Sequence, residues 1–434
     1  LNDGVVYRAF QLANKAMFLQ RKKMLIKTNG FTSDNDIKWY PFQLAFFLQE
    51  ICSFSDPDSK ERANVDLLWF PTGGGKTEAY LGIAAFVIFL RRLRHGPKGS
   101  GVTVLMRYTL RLLSFQQFER AAALICACEV LRKKHDIEGG EIGIGLWAGK
   151  ALTPNKISKA QKILNGEKDS DAESSNPAQI EKCPWCGKPI AIENYECNLE
   201  NKRMLIHCSD PECDFALGLP VYLIDEEIYE HTPSFIVATI DKFAQLAQNH
   251  ETSALFGNGV LLPPDLIIQD ELHLISGPLG TITGLYEAAI KKLCERDGKY
   301  PKVVASTATI RNAEEQIKAL YASPYTQFPP QGININDSFF AKVSTKEKKP
   351  ARMYMGCMGT GASPTTIMIR VMSSILYATR YLAEQGFDEK VVDSFWTITN
   401  YFNTLRELGG AIIRVVDDIQ DRYSYLCEIG RAHV

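Results

Sequence analysis

An α/β fold built on a doubly wound parallel sheet is what this sequence predicts, and three observations predict it. From about residue 64 to 325, apolar strand-like runs alternate with longer stretches of helical pattern. The run Val65-Asp66-Leu67-Leu68-Trp69 leads directly into Phe70-Pro71-Thr72-Gly73-Gly74-Gly75-Lys76-Thr77 and a helix-like segment. A second apolar run, Leu266-Ile267-Ile268-Gln269, ends in Asp270-Glu271-Leu272-His273. Sheets of this kind hold their ligands at the carboxyl ends of the strands, where both motifs fall.

Residues 1–63 read as an N-terminal helical region carrying Pro41-Phe42-Gln43, and residues 64–325 as the sheet domain. The expected strands are Val65–Phe70, Val102–Met106, Ile142–Leu146, Ser234–Ala238, Leu266–Gln269 and Lys302–Ser306. The longest apolar run, Ala79 to Leu90, is too short to span a bilayer. It reads instead as a buried helix between the sheet and solvent. Residues 151–220 interrupt the alternation with a Lys-rich start, a polar acidic stretch at 166–177 and four cysteines, and read as an insertion. Residues 326–350, among Pro324, Pro329, Pro330 and Pro350, read as a linker. A second αβ unit is expected over 351–434, with helices at Thr365–Gln385 and Phe395–Leu408.

A length of 434 residues suits two or three domains, and 45% apolar with 23% charged residues is a globular composition. The formal net charge of −1 announces no nucleic-acid partner by itself. Any such contact would rest on local patches such as Arg91-Arg92-Leu93-Arg94 or Arg21-Lys22-Lys23, each also readable as plain solvated surface. No signal peptide is read, and the longest apolar run does not reach the length of a membrane span. The 11 cysteines then argue for metal ligands and buried thiols rather than disulfides. The opening on Leu1 and the closing Arg-Ala-His-Val read as the ends of a fragment.

The glycine-rich turn is suited to phosphate. Glycines let consecutive backbone N–H groups converge on phosphate oxygens, and the helix N-terminus adds the positive end of its dipole. Thr72, Gly73, Gly74, Gly75, Lys76, Thr77 and Glu78 are the candidate cradle, with Lys76 reaching the β/γ-phosphates and the Thr77 hydroxyl ligating Mg²⁺. Phe70 stands where the usual pattern has its first glycine. Asp270 would hold Mg²⁺ through water, while Glu271 would orient and deprotonate a water attacking the γ-phosphate. The implied ligands are ATP and Mg²⁺.

In combination these motifs resemble the superfamily 2 helicases of the Asp-Glu-x-His (DExH) class, which implies a RecA-like sheet. The resemblance implies that Gln43 reads adenine. It implies that Thr109, Arg111 and Gln116 in Tyr108–Gln117, with Thr239 and Lys242 in Ala238–Lys242, contact nucleic-acid backbone. Ser306, Thr307 and Thr309 would couple hydrolysis to domain movement, and His273 would bond that motif and sense the γ-phosphate. The wording of Arg107–Arg120, Phe328–Ala341 and Trp396–Gly409 resembles more narrowly the large helicase subunit of DISARM bacterial anti-phage systems (DrmA-like). That membership implies a cytoplasmic bacterial protein with DNA as substrate, single-stranded or duplex with a single-stranded region, and a helicase-associated partner subunit. It also implies a second RecA-like domain whose arginine finger and later motifs lie outside this chain.

Cys183-Pro-Trp-Cys186-Gly187 and Cys208-Ser-Asp-Pro-Glu-Cys213 form two knuckles. Each turns two thiolates toward one point, and together they supply four ligands for a structural, tetrahedral Zn²⁺. His207 and Cys197 are possible substitutes for one ligand, and a set of metal-free core thiols is the alternative. Two other functional readings stand beside the helicase motor. One is a DNA-repair helicase of the same superfamily, and the other a nucleotide-gated docking module without motor activity. ATP turnover separates the docking module from either motor.

Overall fold

In the computed structural model the chain divides into two units, Leu1–Lys342 and Val343–Val434. The structure describes residues 3–432 except 31–32, 57, 72, 110, 150–151, 168–174, 309–311, 331, 335–336, 338, 343, 346 and 350–351. Side chains of 111–114 and 430–432 are likewise outside the description.

The first unit is an eight-stranded sheet. Its strands are β1 (Val65–Trp69), β2 (Val104–Tyr108) and β3 (Ile144–Trp147), then β6 (Val221–Tyr222), β7 (Phe235–Thr239), β8 (Leu266–Gln269), β9 (Lys302–Thr307) and β10 (Tyr325–Phe328). They lie in the order β10-β1-β9-β8-β2-β7-β3-β6, and every neighbouring pair is parallel. Helices cover both faces, so the central strands are apolar on both sides; Leu67, Leu68, Val104, Leu105, Met106 and Ile268 are fully buried. Because all strands run the same way, the residues that follow β1, β9, β8, β2 and β7 emerge along one edge, side by side.

Six of the eight strands fall where the sequence places them, within two residues at each end. β10 lies in and beside the stretch read as a linker. It is a short edge strand, half-buried in its first three residues and bracketed by Pro324 and Pro329. Proline is tolerated only at such an edge, so the residues that suggest a linker are compatible with a strand there.

Helix α1 (Gly4–Asn29) is capped by Asp3, whose carboxylate accepts from Val5 N at 2.8 Å and Val6 N at 3.3 Å. It ends at Gly30 in the left-handed region. Val6, Ala9, Leu12, Ala13, Ala16, Met17 and Gln20 form its buried stripe, and the alanines allow close approach. Together with α2 (Pro41–Ser55) it packs on α3 (Lys76–His95), the helix containing the long apolar run. That helix is therefore enclosed by the sheet on one side and by α1 and α2 on the other, rather than facing solvent. Trp39 sits against Gly82, and Phe47 meets Phe86 edge to face at 6.0 Å.

The basic run at the end of α3 is also not a solvated patch. Arg91 and Arg92 are buried. Arg91 donates to the carbonyls of Gly99, Ser100, Val102, Leu262 and Pro263 and pairs with Asp265 at 3.2 Å. It staples two loops at the amino edge of the sheet, which removes it from any nucleic-acid contact.

Helix α4 (Arg111–Lys134) follows β2. After β3 comes α5 (Ile157–Leu164), then an antiparallel hairpin of β4 (Tyr195–Asn198) and β5 (Arg203–Ile206) within the inserted residues. Helices α6 (Asp225–His231), α7 (Gly277–Leu293) and α8 (Ala313–Tyr321) complete the unit. The second unit contains α9 (Pro364–Glu384), α10 (Glu389–Asp393), α11 (Leu405–Arg414) and α12 (Gln420–Ala432), with no strand among its described residues. Its α11 begins ten residues later than the sequence suggests, because Thr404 caps it and accepts from Glu407 N at 3.2 Å.

Candidate functional site

The glycine-rich turn leaves β1 and enters α3. Gly73 and Gly75 have φ of 78° and 91°, a region that other residues enter only at a cost. A Cβ on Gly74 would stand 2.8 Å from the Phe70 ring, which itself stacks on Phe42 at 3.8 Å and 10°. The aromatic at the first position thus floors the turn. Lys76 is only 7% exposed, and its ammonium has no hydrogen-bond partner among the described residues. A buried, unpaired cation is costly, and an anion at the turn would satisfy it. Thr72 lies outside the described residues.

The acidic motif emerges from β8, two strands from β1. Asp270 is buried; its Oδ1 accepts from the Ser306 hydroxyl and, at 3.0 Å, from Glu271 N. Its Oδ2 accepts from Tyr80 OH at 2.9 Å, and the same phenol lies 3.1 Å from Thr77 Oγ1. The hydroxyl and the carboxylate read as Mg²⁺ ligands therefore flank one tyrosine oxygen. A set of hard oxygen donors beside a phosphate loop fits Mg²⁺. Burial, then the Asp270 charge, holds the Tyr80 phenol well above its usual range, so it acts as a neutral donor.

Glu271 adopts a left-handed φ of 49° and places Oε2 3.3 Å from His273 Nδ1. That same nitrogen lies 3.1 Å from Thr307 Oγ1, so the motif after β8 and the end of β9 are joined through His273. Thr309 lies outside the described residues. Gln43 is engaged at both ends: Oε1 accepts from Tyr40 N at 2.9 Å, and Nε2 donates to Gly75 O at 2.8 Å. It fastens the start of α2 to the phosphate turn.

Gln43, Gly73, Gly75, Lys76, Thr77, Glu78, Asp270 and Glu271 line one cavity of about 950 Å³. Its other wall is one the sequence did not indicate. It comprises Asn14, Met17, Phe18, Gln20 and Arg21 of α1, together with Gln117 and Arg120 of α4. Tyr80 was legible in principle, since it lies three residues after Thr77 on the same helical face. Arg120 carries no local signal that separates it from any other charged helix residue.

The candidates for nucleic-acid contact are less uniform. Thr109 is half-buried at the carboxyl end of β2 and Gln116 is exposed on α4, while the Arg111 side chain lies outside the description. Thr239 and Lys242 are not presented to a ligand. Thr239 is fully enclosed, with no hydrogen-bond partner for its hydroxyl among the described residues. Lys242 is buried in an ion pair with Asp225 and lies 3.3 Å from Gln245 Oε1. Its charge is thereby consumed inside the fold.

The sulfurs of Cys183, Cys186, Cys208 and Cys213 lie within 4.8 Å of one another. Backbone N–H groups of Cys186 and Asp210 point at the Cys183 and Cys208 sulfurs, both at 3.5 Å, and Gly187 turns the first knuckle at φ 82°. Cys197 on β4 is outside the cluster, and His207 faces Glu196 at 3.3 Å, so neither replaces a ligand. Burial, together with the neighbouring thiols, pushes the Cys208 thiol up to about 12. Four thiols this close cannot all ionise without a cation among them, and Zn²⁺ fits that donor set. The first knuckle rests on α1: Lys27 Nζ donates to the carbonyls of Cys183 and Pro184, and Lys23 Nζ lies 4.8 Å from the Trp185 ring centroid.

No protein-family model matches the chain. Among solved structures, the DUF1998 helicase MrfA bound to DNA covers 75% of the chain and 29% of its own length, at 15% identity and a TM-score of 0.38. Mss116p bound to single-stranded RNA and AMP-PNP covers 71% and 42%, at 10% identity and a TM-score of 0.39. Sequence relationship is far stronger. The DISARM protein DrmA of Bacillus paralicheniformis is 38% identical across an aligned span of 481 residues that takes in 98% of this chain. The chain spans 43% of that relative's length. The resemblance implied by the wording around the motifs is therefore real at the level of sequence: this chain is similar to the DISARM protein DrmA along almost its whole extent.

Proposed function

We propose that this chain contains the ATP-binding, N-terminal motor portion of a DNA helicase or translocase that serves bacterial anti-phage defence. The observation that carries the reading is Lys76, an ammonium buried behind a glycine turn with no hydrogen-bond partner among the described residues and sharing one cavity with Thr77, Asp270 and Glu271. A phosphate polyanion would satisfy Lys76, a divalent cation bound with it would satisfy Thr77 and Asp270, and the Glu271 carboxylate beside them supplies what hydrolysis needs. Lys76 and the turn would bind the β- and γ-phosphates; Thr77 and Asp270 would hold Mg²⁺, which neutralises phosphate charge when bound. Glu271, kept in place by His273, would take the proton of the attacking water. The Ser306–Asp270 and Thr307–His273 bonds give the end of β9 a direct hold on Asp270 and, through His273, an indirect one on Glu271. Through them a change at the phosphates would reach the adjoining strand.

DNA as the substrate and a helicase-associated subunit as partner, which the DISARM resemblance implies, are part of this proposal. A cytoplasmic setting is part of the proposal; among the described residues no helix is long and apolar enough to cross a membrane. The four-cysteine cluster would hold one structural Zn²⁺, leaving no position open for catalysis. The domain limits read from the sequence (1–63, 64–325 with 151–220 inserted, 326–350 and 351–434) remain part of this proposal.

The test is DNA-stimulated ATP hydrolysis by the full-length protein. Glu271→Gln should keep nucleotide binding and slow turnover by about 10²–10⁴-fold, the usual loss for a general base. Wild-type turnover in that variant would remove Glu271 from the mechanism. Absence of turnover in the unmutated protein, with nucleotide still bound, would favour the docking module.

A further inference from the structure

The Thr77 hydroxyl has one proton to donate and two positions at which to accept. All three are engaged. Oγ1 lies 3.5 Å from Gln117 Oε1, accepts from Tyr80 OH at 3.1 Å and accepts from Arg120 Nη1 at 3.2 Å. The Tyr80 proton has a charged alternative in Asp270 Oδ2 at 2.9 Å. Arg120 is held by its other arm, because Nη2 pairs with the Glu78 carboxylate. Its side chain keeps 34% of its surface exposed and lines the same cavity as Lys76. A guanidinium has five N–H donors in a rigid fork, and among the described residues these two bonds leave three unused.

We propose that Arg120 is a second phosphate-binding cation of this site, supplied by α4 and aimed by Glu78. The inference rests on the cavity being the nucleotide site. A phosphate oxygen is a charged acceptor and outcompetes a neutral hydroxyl for an arginine N–H. When phosphate enters, Nη1 exchanges Thr77 for a phosphate oxygen while Nη2 stays on Glu78. The exchange frees a Thr77 lone pair, which is what a metal-ligating hydroxyl must offer. It also ties α4, the helix that follows β2 and bears Gln116, to the phosphate end of the nucleotide. The charge comes from within the first unit, so it is present before any arginine from another domain.

Calorimetric titration of Mg-ADP and of inorganic triphosphate into the chain tests this, with a melting temperature recorded for each variant. Arg120→Ala should weaken both ligands by about 10-fold, the worth of a charge-assisted hydrogen bond. Arg120→Lys should recover part of the loss, since it keeps the charge but not the fork. Lys76→Ala marks the phosphate site itself. If Lys76→Ala loses binding while Arg120→Ala retains wild-type affinity, the role of Arg120 is overturned. A lowered melting temperature with unchanged affinity overturns it equally, by making Arg120 a packing residue. If Lys76→Ala also binds as wild type, the reading of the cavity falls, and this inference with it.

Discussion

Lys242 and Gly75 show what single side chains decide here. The helicase resemblance implies that Lys242 contacts nucleic-acid backbone, yet in the fold it neutralises Asp225 in a buried pair. Removing one partner of such a pair leaves the other charge uncompensated, at about 3–5 kcal/mol. Lys242→Met should therefore lower stability by roughly that amount in urea unfolding, while leaving nucleotide affinity unchanged. A stable Lys242→Met protein with weakened DNA binding would return Lys242 to the nucleic-acid surface. Gly75 is constrained twice, by φ of 91° and by Gln43 Nε2 only 2.7 Å from where its Cβ would stand. Gly75→Ala should cost about 1–3 kcal/mol of strain and, by displacing Gln43, weaken Mg-ADP binding. Calorimetry on the folded variant separates the two effects. Arg120 belongs to the same scale but was invisible in the sequence, because its meaning comes only from Thr77 and Glu78, more than forty residues away.

Helix α1 links sites that are separate in the sequence. Its middle, at Met17, Phe18, Gln20 and Arg21, walls the nucleotide cavity, and its end, at Lys23 and Lys27, seats the first cysteine knuckle. The knuckles were legible from spacing alone. Their seat was not, since nothing in Lys23 or Lys27 distinguishes them from solvated lysines. Zinc should accompany the purified protein at about one ion per chain, and Cys183→Ser with Cys186→Ser should release it. Because the knuckle holds the end of α1, the same change should also weaken Mg-ADP binding, by a smaller factor than Lys76→Ala. Metal analysis with calorimetry on the double variant checks both parts. Full nucleotide affinity in a zinc-free protein would show that the cavity wall stands without the four-cysteine cluster.

Across the whole molecule, what the sequence revealed was the sheet and the edge that carries the chemistry. Strands buried on both faces announce themselves as continuous apolar runs, and their carboxyl ends collect the motifs in any parallel sheet. The unrecognised parts share a different cause. β6 has only two residues, β10 is an edge strand among prolines, and Arg91 staples loops with carbonyls that any sequence provides. Such features depend on what lies across space rather than along the chain. The central claim, that Lys76 and its turn hold nucleotide phosphate, is tested most directly by equilibrium binding of Mg-ADP to the unmutated chain and to Lys76→Ala. The account predicts measurable binding that falls by at least about 10-fold in the variant, as expected when a charged partner of phosphate is removed. Equal affinity in the two proteins would contradict it.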